Sequence, residues 1–316
     1  MKYNIKNLLL ISSILIFAIV LGGCVNKNVD GLVAEVNGEE ITEEEFDTEY
    51  EIYKNQFEAQ LGEGALGQTG PDGLTYGEVL RVNILEKLIM EKIVAKETSN
   101  LNISVTDEEV KEKMNEYLNE MNGQEQFDQF LTSIGLTQEY FEANLKKELL
   151  FDKHRAEILK DVSIDEEGIK AYFEDNKDEL VVVRASHILV DSEDKAKAAL
   201  DRINSGEAFE TVAMDVSMDG SSAPLGGDLG YFPRGEYSAI KEFEDAAFLL
   251  KEGETSRLIK TEVGYHIIHL VDRKDSYDDL KDDILLVLKE DKYKNKMQEI
   301  RDKAKVEKYL DAKEVK

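Results

Sequence analysis

Four polar side chains in the second half of the chain are the candidates for chemistry: His187, Asp219, Thr261 and His266. His187 lies in 184–190, where apolar and polar residues alternate as in a strand, and His266 begins a second predicted strand at 266–271. Imidazole, carboxylate and hydroxyl groups can hydrogen-bond to one another in a small polar network. Taken alone, each residue could be a buried polar residue whose hydrogen bonds are satisfied, and a single histidine in a strand would favour that interpretation.

Four sequence blocks surround these residues in a fixed order. They are RASHILV at 184–190, GGDLGYFPRGE at 226–236, FEDAAF at 243–248 and TEVGYHIIHL at 261–270. In order and in approximate spacing, the blocks resemble the parvulin family of peptidyl-prolyl cis/trans isomerases. The resemblance implies that 180–275 form a small mixed or antiparallel sheet with surrounding helices.

The resemblance also implies a role for each polar residue. In the parvulin pattern, His187 and His266 are neighbours on the sheet and hydrogen-bond through their imidazoles beneath the substrate bond. Asp219 stands where parvulins carry a cysteine or an aspartate that faces the rotating amide. Thr261 matches a serine or threonine that completes the network. These four residues are therefore expected to be catalytic.

The chemistry that the family performs breaks no covalent bond. Rotation about an X-Pro peptide bond has a barrier of about 18–20 kcal/mol and takes tens to hundreds of seconds unaided. A catalyst must weaken the amide resonance and bind the twisted form better than the planar forms. This requires an apolar proline pocket beside a small polar network, and no cofactor.

The proline pocket is expected at three apolar positions where the family places a leucine, an aromatic residue and a phenylalanine: Leu229, Phe232 and Phe243. Tyr237 falls where many parvulins have methionine. The chain carries extra residues at 236–242, so the alignment slips there and Ile240 is an alternative for the methionine position.

The remaining histidines do not indicate a metal site. His269 lies three residues after His266, so in a strand it points to the opposite face of the sheet. His154 stands in the charged helical segment Lys153-His154-Arg155 and is expected to face solvent. No metal is predicted.

The N-terminus indicates export and lipid attachment. Lys2 and Lys6 precede a 14-residue run at 8–21 that is apolar except for Ser12 and Ser13. This run is short for a membrane span and typical of a signal peptide. The following Leu-Gly-Gly-Cys resembles the lipobox of bacterial lipoproteins, with Cys24, the single cysteine of the chain, as the lipidated residue. The alternatives are an uncleaved anchor and an ordinary secretory signal.

The charge of the chain argues against nucleic acid as a partner. Removing residues 1–23 takes away two lysines and no acid, which leaves 37 basic against 67 acidic residues and a formal charge of −30. Acidic and basic residues alternate along helical stretches, as on solvated helix faces. With no cysteine left after position 24, the fold must be stabilised by apolar burial.

The segment before the parvulin blocks is predicted to be mostly helical. Its VAEVNGEEI sequence predicts a strand that turns at Asn37-Gly38, and Thr42 with Glu45 forms a capping box that begins a helix. This order of elements resembles the N-terminal chaperone domain of SurA-type and PrsA-type foldases. A last helix is predicted at 277–310 and, by the same resemblance, packs on that domain; docking on the parvulin unit or a free tail are the alternatives.

The predicted fold class is α+β, with a parvulin domain inserted in a mostly α-helical chaperone domain. The expected boundaries are a signal peptide at 1–23, a lipid-anchored linker at 24–32, the helical domain at 33–179, the parvulin domain at 180–275 and the C-terminal helix at 276–316.

The sequence thus predicts a foldase, anchored on the extracytoplasmic face of the cell membrane, that acts on X-Pro bonds of unfolded or partly folded exported proteins. A holdase with a catalytically idle parvulin domain is the main alternative. A solute-binding lipoprotein is a weaker one, since the helical part does not supply two α/β lobes. The sequence leaves a homodimer open.

Overall fold

The computed structural model describes residues 29–71 and 73–310, and the chain divides into two compact units. One unit comprises the chain up to Val162 together with the part from Lys292 onward, and the other runs from Ser163 to Asp291. Helices and antiparallel sheets make up both, so the predicted α+β class is confirmed. The predicted lipid attachment site, Cys24, lies outside the described residues.

The described part of the chain contains the following strands and helices. The strands are β1 (Leu32–Val36), β2 (Glu39–Thr42), β3 (Val182–Val190), β4 (Asp228–Pro233), β5 (Ile259–Thr261), β6 (Gly264–Lys274) and β7 (Val306–Lys308). The helices are α1 (Glu43–Leu61), α2 (Tyr76–Asn100), α3 (Asp107–Glu120), α4 (Gln124–Ser133), α5 (Gln138–Leu159), α6 (Glu166–Leu180), α7 (Glu193–Asn204), α8 (Phe209–Val216), α9 (Lys241–Leu249) and α10 (Tyr277–Lys303).

Local sequence signals account for the helix starts of the first unit. Thr42 accepts a hydrogen bond from the Glu45 N–H while the Glu45 carboxylate accepts one from the Thr42 N–H, so the predicted capping box is confirmed. The same pair of bonds begins α2 and α3. Behind these caps, Phe46, Ile84 and Ile89 are buried in the core that α1 and α2 share with β1.

The C-terminal strand β7 was not predicted. A helix was expected to continue to Leu310, but α10 ends at Lys303 and β7 pairs with β1, with Val306 opposite Val36. The sheet order is β2-β1-β7, so β1 is hydrogen-bonded on both edges. Without a neighbour on its second edge, β1 would leave buried backbone N–H and C=O groups without hydrogen-bond partners. Strand β7 provides those partners.

His154 corrects a second expectation. It does not face solvent: it is 0% exposed, and its Nδ1 lies 3.2 Å from the Tyr293 hydroxyl oxygen in the last part of α10. The helix face that carries it packs within a cluster of Val94, Tyr293 and Met297. Burial lowers the pKa of His154, against the opposing charge of Glu97.

The second unit is built around a four-stranded antiparallel sheet in the order β4-β3-β6-β5. Helix α9 packs on one face through Phe243 and Ala247, while α7 and α8 cover the other through Ala196 and Val212. Helix α6 and the start of α10 share a separate cluster that contains Phe173 and Ile284.

The packing of α6 and α10 bears on where the predicted domains begin and end. Residues from 292 onward pack on the helical unit, whereas α6 and residues 277–291 belong to the unit with the four-stranded sheet. The boundaries at 179/180 and 275/276 stay predictions. No helix among the described residues is both long enough and apolar enough to cross a membrane.

The turn at Asn37 provides a test of the β1–β7 connection. Asn37 has φ +52°, and its side-chain oxygen accepts a hydrogen bond from the Lys305 N–H at 2.9 Å. Asn37→Ala should lower the free energy of unfolding by about 1–2 kcal/mol, because it loses this acceptor and strains the left-handed backbone. Urea unfolding of the intact chain, followed by circular dichroism, measures the change.

Asn37→Gly is the matched control, since glycine adopts positive φ without strain and loses only the acceptor. It should destabilise the chain less than alanine does. Equal stability of both variants and the wild type would show that this turn does not fasten the C-terminal strand.

Candidate functional site

Pairing of β3 with β6 brings the two predicted catalytic histidines together. His187 stands opposite Ile268, and His266 stands opposite Leu189, so the histidines are diagonal neighbours on one sheet face. Their rings stack with centroids 5.6 Å apart, and the two Nδ1 atoms are separated by 3.4 Å. Both are buried, with 7% of His187 and 1% of His266 exposed.

Gly227 holds the backbone at His187. Its carbonyl oxygen accepts the His187 N–H at 2.9 Å, and its φ is +84°. A Cβ atom at this position would lie 2.3 Å from the His187 carbonyl oxygen. Only glycine permits this approach, so Gly227 is required by the fold at this position.

Asp219 reaches the first histidine from the loop after α8. The loop is fastened to β3, because the Met218 N–H donates to the Leu189 carbonyl and the Leu189 N–H donates to the Ser217 hydroxyl. This places Asp219 Oδ2 2.8 Å from His187 Nε2.

Two serines that the sequence analysis did not single out complete the surroundings of Asp219. Ser221 donates to Oδ1 from its hydroxyl at 2.7 Å, and Ser222 donates to Oδ2. Burial raises the pKa of Asp219, but the hydrogen bonds from Ser221, Ser222 and His187 outweigh it and hold the pKa well below its usual range. Asp219 is therefore ionised at neutral pH. The Asp-x-Ser-Ser spacing, typical of turns closed by an aspartate side chain, was the available signal.

Thr261 closes the other end of the network. Its Oγ1 lies 3.0 Å from His266 Nε2 and 3.3 Å from the Gly264 carbonyl oxygen, at the tight connection between β5 and β6. The four polar side chains singled out in the sequence thus form one chain of contacts, in the order Thr261, His266, His187, Asp219.

The direction of donation along this chain follows from the charge states. Asp219 is ionised and can only accept, so His187 donates from Nε2. Burial, followed by the neighbouring His187, lowers the pKa of His266 to about 4, so His266 is neutral and carries one N–H. With His187 neutral, His266 donates from Nδ1 and accepts from Thr261.

An aromatic cluster stands directly against the histidines. The Phe243 ring lies 5.5 Å from the His187 ring and 5.2 Å from the His266 ring, measured between centroids. Phe232 stacks on Phe243 at 6.5 Å, and Tyr237 meets both rings edge-on at 4.8 Å and 5.2 Å. The polar chain is therefore bordered by an apolar wall.

The predicted pocket residues share this wall but differ in exposure. Phe232 and Phe243 are buried, whereas Leu229, Tyr237 and Ile240 are half-buried and pack on the same cluster. The extra residues form a short 3₁₀ turn, Ser238–Ile240, after Tyr237. Both candidates for the methionine position thus lie at the edge of the aromatic cluster.

His269 lies on the opposite face, as its position in the strand predicts. It packs against Phe209 at 5.4 Å between ring centroids, and its Nδ1 lies 2.9 Å from Thr255 Oγ1. Within 29–71 and 73–310, no group of three or more His, Cys, Asp or Glu side chains is placed to hold a metal ion.

Known proteins resemble this chain in two parts. Residues 1–155 match the SurA-like N-terminal domain, and residues 186–272 match the PPIC-type PPIase domain. Foldase protein PrsA of Caldanaerobacter subterraneus subsp. tengcongensis is 35% identical over 267 residues, covering 83% of this chain and 81% of that protein. Foldase protein PrsA of Clostridium botulinum strain Langeland is 30% identical over 296 residues, 88% of each chain. A crystal structure of PrsA from Bacillus anthracis, 30% identical, covers 70% of this chain and 96% of that chain with a TM-score of 0.30.

The buried His266 predicts a defined pH dependence. Its pKa is about 4 in the folded chain against a usual 6.5, so the unfolded chain binds more protons between these values. This contribution to stability is complete above pH 6.5 and is lost as the pH falls towards 4, by about 2–3 kcal/mol. Measured by NMR, the His266 imidazole should titrate near pH 4.

Burial also lowers the pKa of His154, so this residue adds its own pH dependence to the stability of the chain. The free energy of unfolding is therefore compared across pH in a His154→Gln background, which removes that contribution. There the stability should still decline between pH 6.5 and 4. A His266 titration close to pH 6.5 would contradict the neutral state on which the donation chain depends.

Proposed function

Since this chain belongs to the PrsA family of foldase proteins, we propose that it catalyses cis/trans isomerisation of X-Pro bonds in exported proteins. The observation that carries the proposal is the hydrogen-bonded chain from Thr261 through His266 and His187 to Asp219, bordered by the Phe243 ring. We propose that these four polar residues are the catalytic set.

Asp219 is proposed to act on the amide through its charge. In a planar peptide bond, resonance places partial negative charge on the carbonyl oxygen, and twisting removes part of that charge. A fixed carboxylate beside the carbonyl therefore raises the energy of the planar form relative to the twisted one, which lowers the barrier. The hydrogen bonds from Ser221, Ser222 and His187 keep the carboxylate ionised and in place.

The aromatic wall is proposed to hold the proline ring while the preceding residue rotates. Leu229 and Tyr237 are half-buried and supply apolar surface, and the buried rings of Phe232 and Phe243 support that surface from within the cluster. Holding one side of the bond makes rotation of the other side an event within the bound complex, which is the advantage of fixed orientation.

The helical unit is proposed to hold unfolded clients. A groove of about 590 Å³ runs between α3 and α5, with Val110, Met114 and Leu118 among its lining residues and charged side chains around them. Such a surface suits apolar segments of an unfolded chain. A holdase with an idle parvulin domain would use this groove alone, whereas the satisfied polar chain of the other unit favours catalysis.

Attachment to the extracytoplasmic face of the membrane is proposed through Cys24. The support is the sequence: a basic start, a short apolar run and Leu-Gly-Gly-Cys. Two acyl chains hold a protein on a membrane stably where one binds only marginally, and a diacylglyceryl group supplies two.

Catalysis is tested by refolding of a protein limited by a cis-proline bond, a phase of about 10–100 s without catalyst. The intact chain should accelerate this phase, and Asp219→Ala should reduce kcat/KM about tenfold or more, a loss of about 1.4 kcal/mol of transition-state stabilisation. Asp194→Ala, an exposed aspartate at the start of α7 on the other sheet face, is the control and should leave the rate unchanged. A folded wild-type chain without any acceleration would favour the holdase.

The anchor is tested by fractionating cells that express the full sequence. Cys24→Ala should release the protein from membranes or leave it as an uncleaved precursor of lower mobility. Cys24→Ser, which keeps a small polar residue, should behave in the same way because it has no thiol to acylate. A mutant that fractionates and migrates like the wild type would contradict lipid attachment: if both stay in the membrane, the segment is an uncleaved anchor, and if both are processed and released, it is an ordinary secretory signal.

A further inference from the structure

Glu244 is a buried carboxylate that the catalytic network does not use. It lies in α9 directly after Phe243, and it is 7% exposed. Its Oε1 accepts two backbone hydrogen bonds, from the Gly235 N–H at 2.8 Å and from the Tyr237 N–H at 3.0 Å. The nearby cations Arg234 and Lys241 pair with Asp245 instead.

The position of this carboxylate links a rigid element to an irregular one. Helix α9 is fixed to the sheet through buried Phe243, Ala247 and Phe248. The segment 235–237 belongs to no helix or strand, and Gly235 has φ +97°, a conformation that lets its N–H and that of Tyr237 converge on one oxygen. The Glu244 carboxylate therefore ties the backbone of 235–237 to the fixed helix α9 through two hydrogen bonds.

Tyr237 is the side chain whose place depends on the segment. Its ring packs edge-on against Phe232 and Phe243, the two buried members of the aromatic wall. Burial raises the pKa of Tyr237, as do the charges of Glu236 and Asp219. The ring thus forms a half-buried edge of the aromatic wall.

We propose that Glu244 is a positioning residue for substrate binding: its two hydrogen bonds hold Tyr237 as the lip of the proline pocket. This inference rests on the proposed isomerase function, because it takes the aromatic wall to be the proline site. Glu244 itself touches no substrate. Its loss should weaken the binding of X-Pro peptides and leave the polar chain intact.

The test measures the Kd of a short X-Pro peptide by NMR titration of the intact chain. Glu244→Ala leaves two backbone N–H groups without an acceptor and should weaken peptide binding about tenfold. Glu244→Gln keeps an oxygen at the same place for both N–H groups and should bind within about twofold of the wild type. Glu242→Ala, an exposed residue on the same helix, should have no effect.

A double-mutant cycle separates positioning from a general structural role. Tyr237→Ala should weaken binding to a similar extent, and adding Glu244→Ala to it should cause no further loss, because both changes remove the same lip. The Gly235 and Tyr237 amides should lose protection from hydrogen exchange in Glu244→Ala and keep it in Glu244→Gln. If Glu244→Ala does not fold, Glu244→Asp, whose carboxylate is withdrawn by one methylene, should also weaken binding.

Several outcomes overturn the proposal. Unchanged peptide binding in folded Glu244→Ala, failure of glutamine to restore binding, or independent losses in the double mutant would each do so. Isomerisation of the same peptide is followed in parallel by exchange NMR. A wild-type chain that binds the peptide without isomerising it contradicts the proposed function but still permits the comparison of Kd values, whereas a wild-type chain that binds no peptide overturns both.

Discussion

The antiparallel pairing of β3 with β6 is the constraint on which the site depends. It joins histidines that are 79 residues apart in the chain and places them on one sheet face. Side chains alternate between faces along a strand, so a slip of one residue would turn His266 to the side where His269 now packs on Phe209. The Asp219 loop is fastened to β3, and Thr261 lies in the strand that pairs with β6, so both inherit their positions from this register.

The sequence was sufficient where the cause of a structure is local. Capping boxes at Thr42 and the later helices depend on residues three positions apart, and the Asn37-Gly38 turn depends on two adjacent residues, so each was predictable. The four polar site residues and the aromatic wall were found through the parvulin resemblance. The structure adds their distances and burial; the roles themselves stay proposals.

The misses have a common physical origin in long-range contacts. His154 was predicted to be a surface residue because it stands beside Lys153 and Arg155, but it is buried and contacts Tyr293 of α10, 139 residues later in the chain. Residues 306–308 look like a helix tail until the free edge of β1 is considered, since a strand is defined by its partner. The sequence analysis assigned no role to Glu244. Its carboxylate accepts hydrogen bonds from backbone N–H groups seven and nine residues earlier, and nothing in the neighbouring sequence indicates that contact.

The central place of β1 in the small sheet has a consequence for biosynthesis. β1 is among the first described residues to leave the ribosome, whereas β7, which pairs with its second edge, is among the last. Until residues 306–308 emerge, that edge stays open, because no other strand of the small sheet pairs with it among the described residues. Vectorial emergence of the chain therefore makes completion of this unit a late event, after the whole four-stranded sheet has been made. The helical unit of this foldase can therefore complete its own fold only near the end of its synthesis.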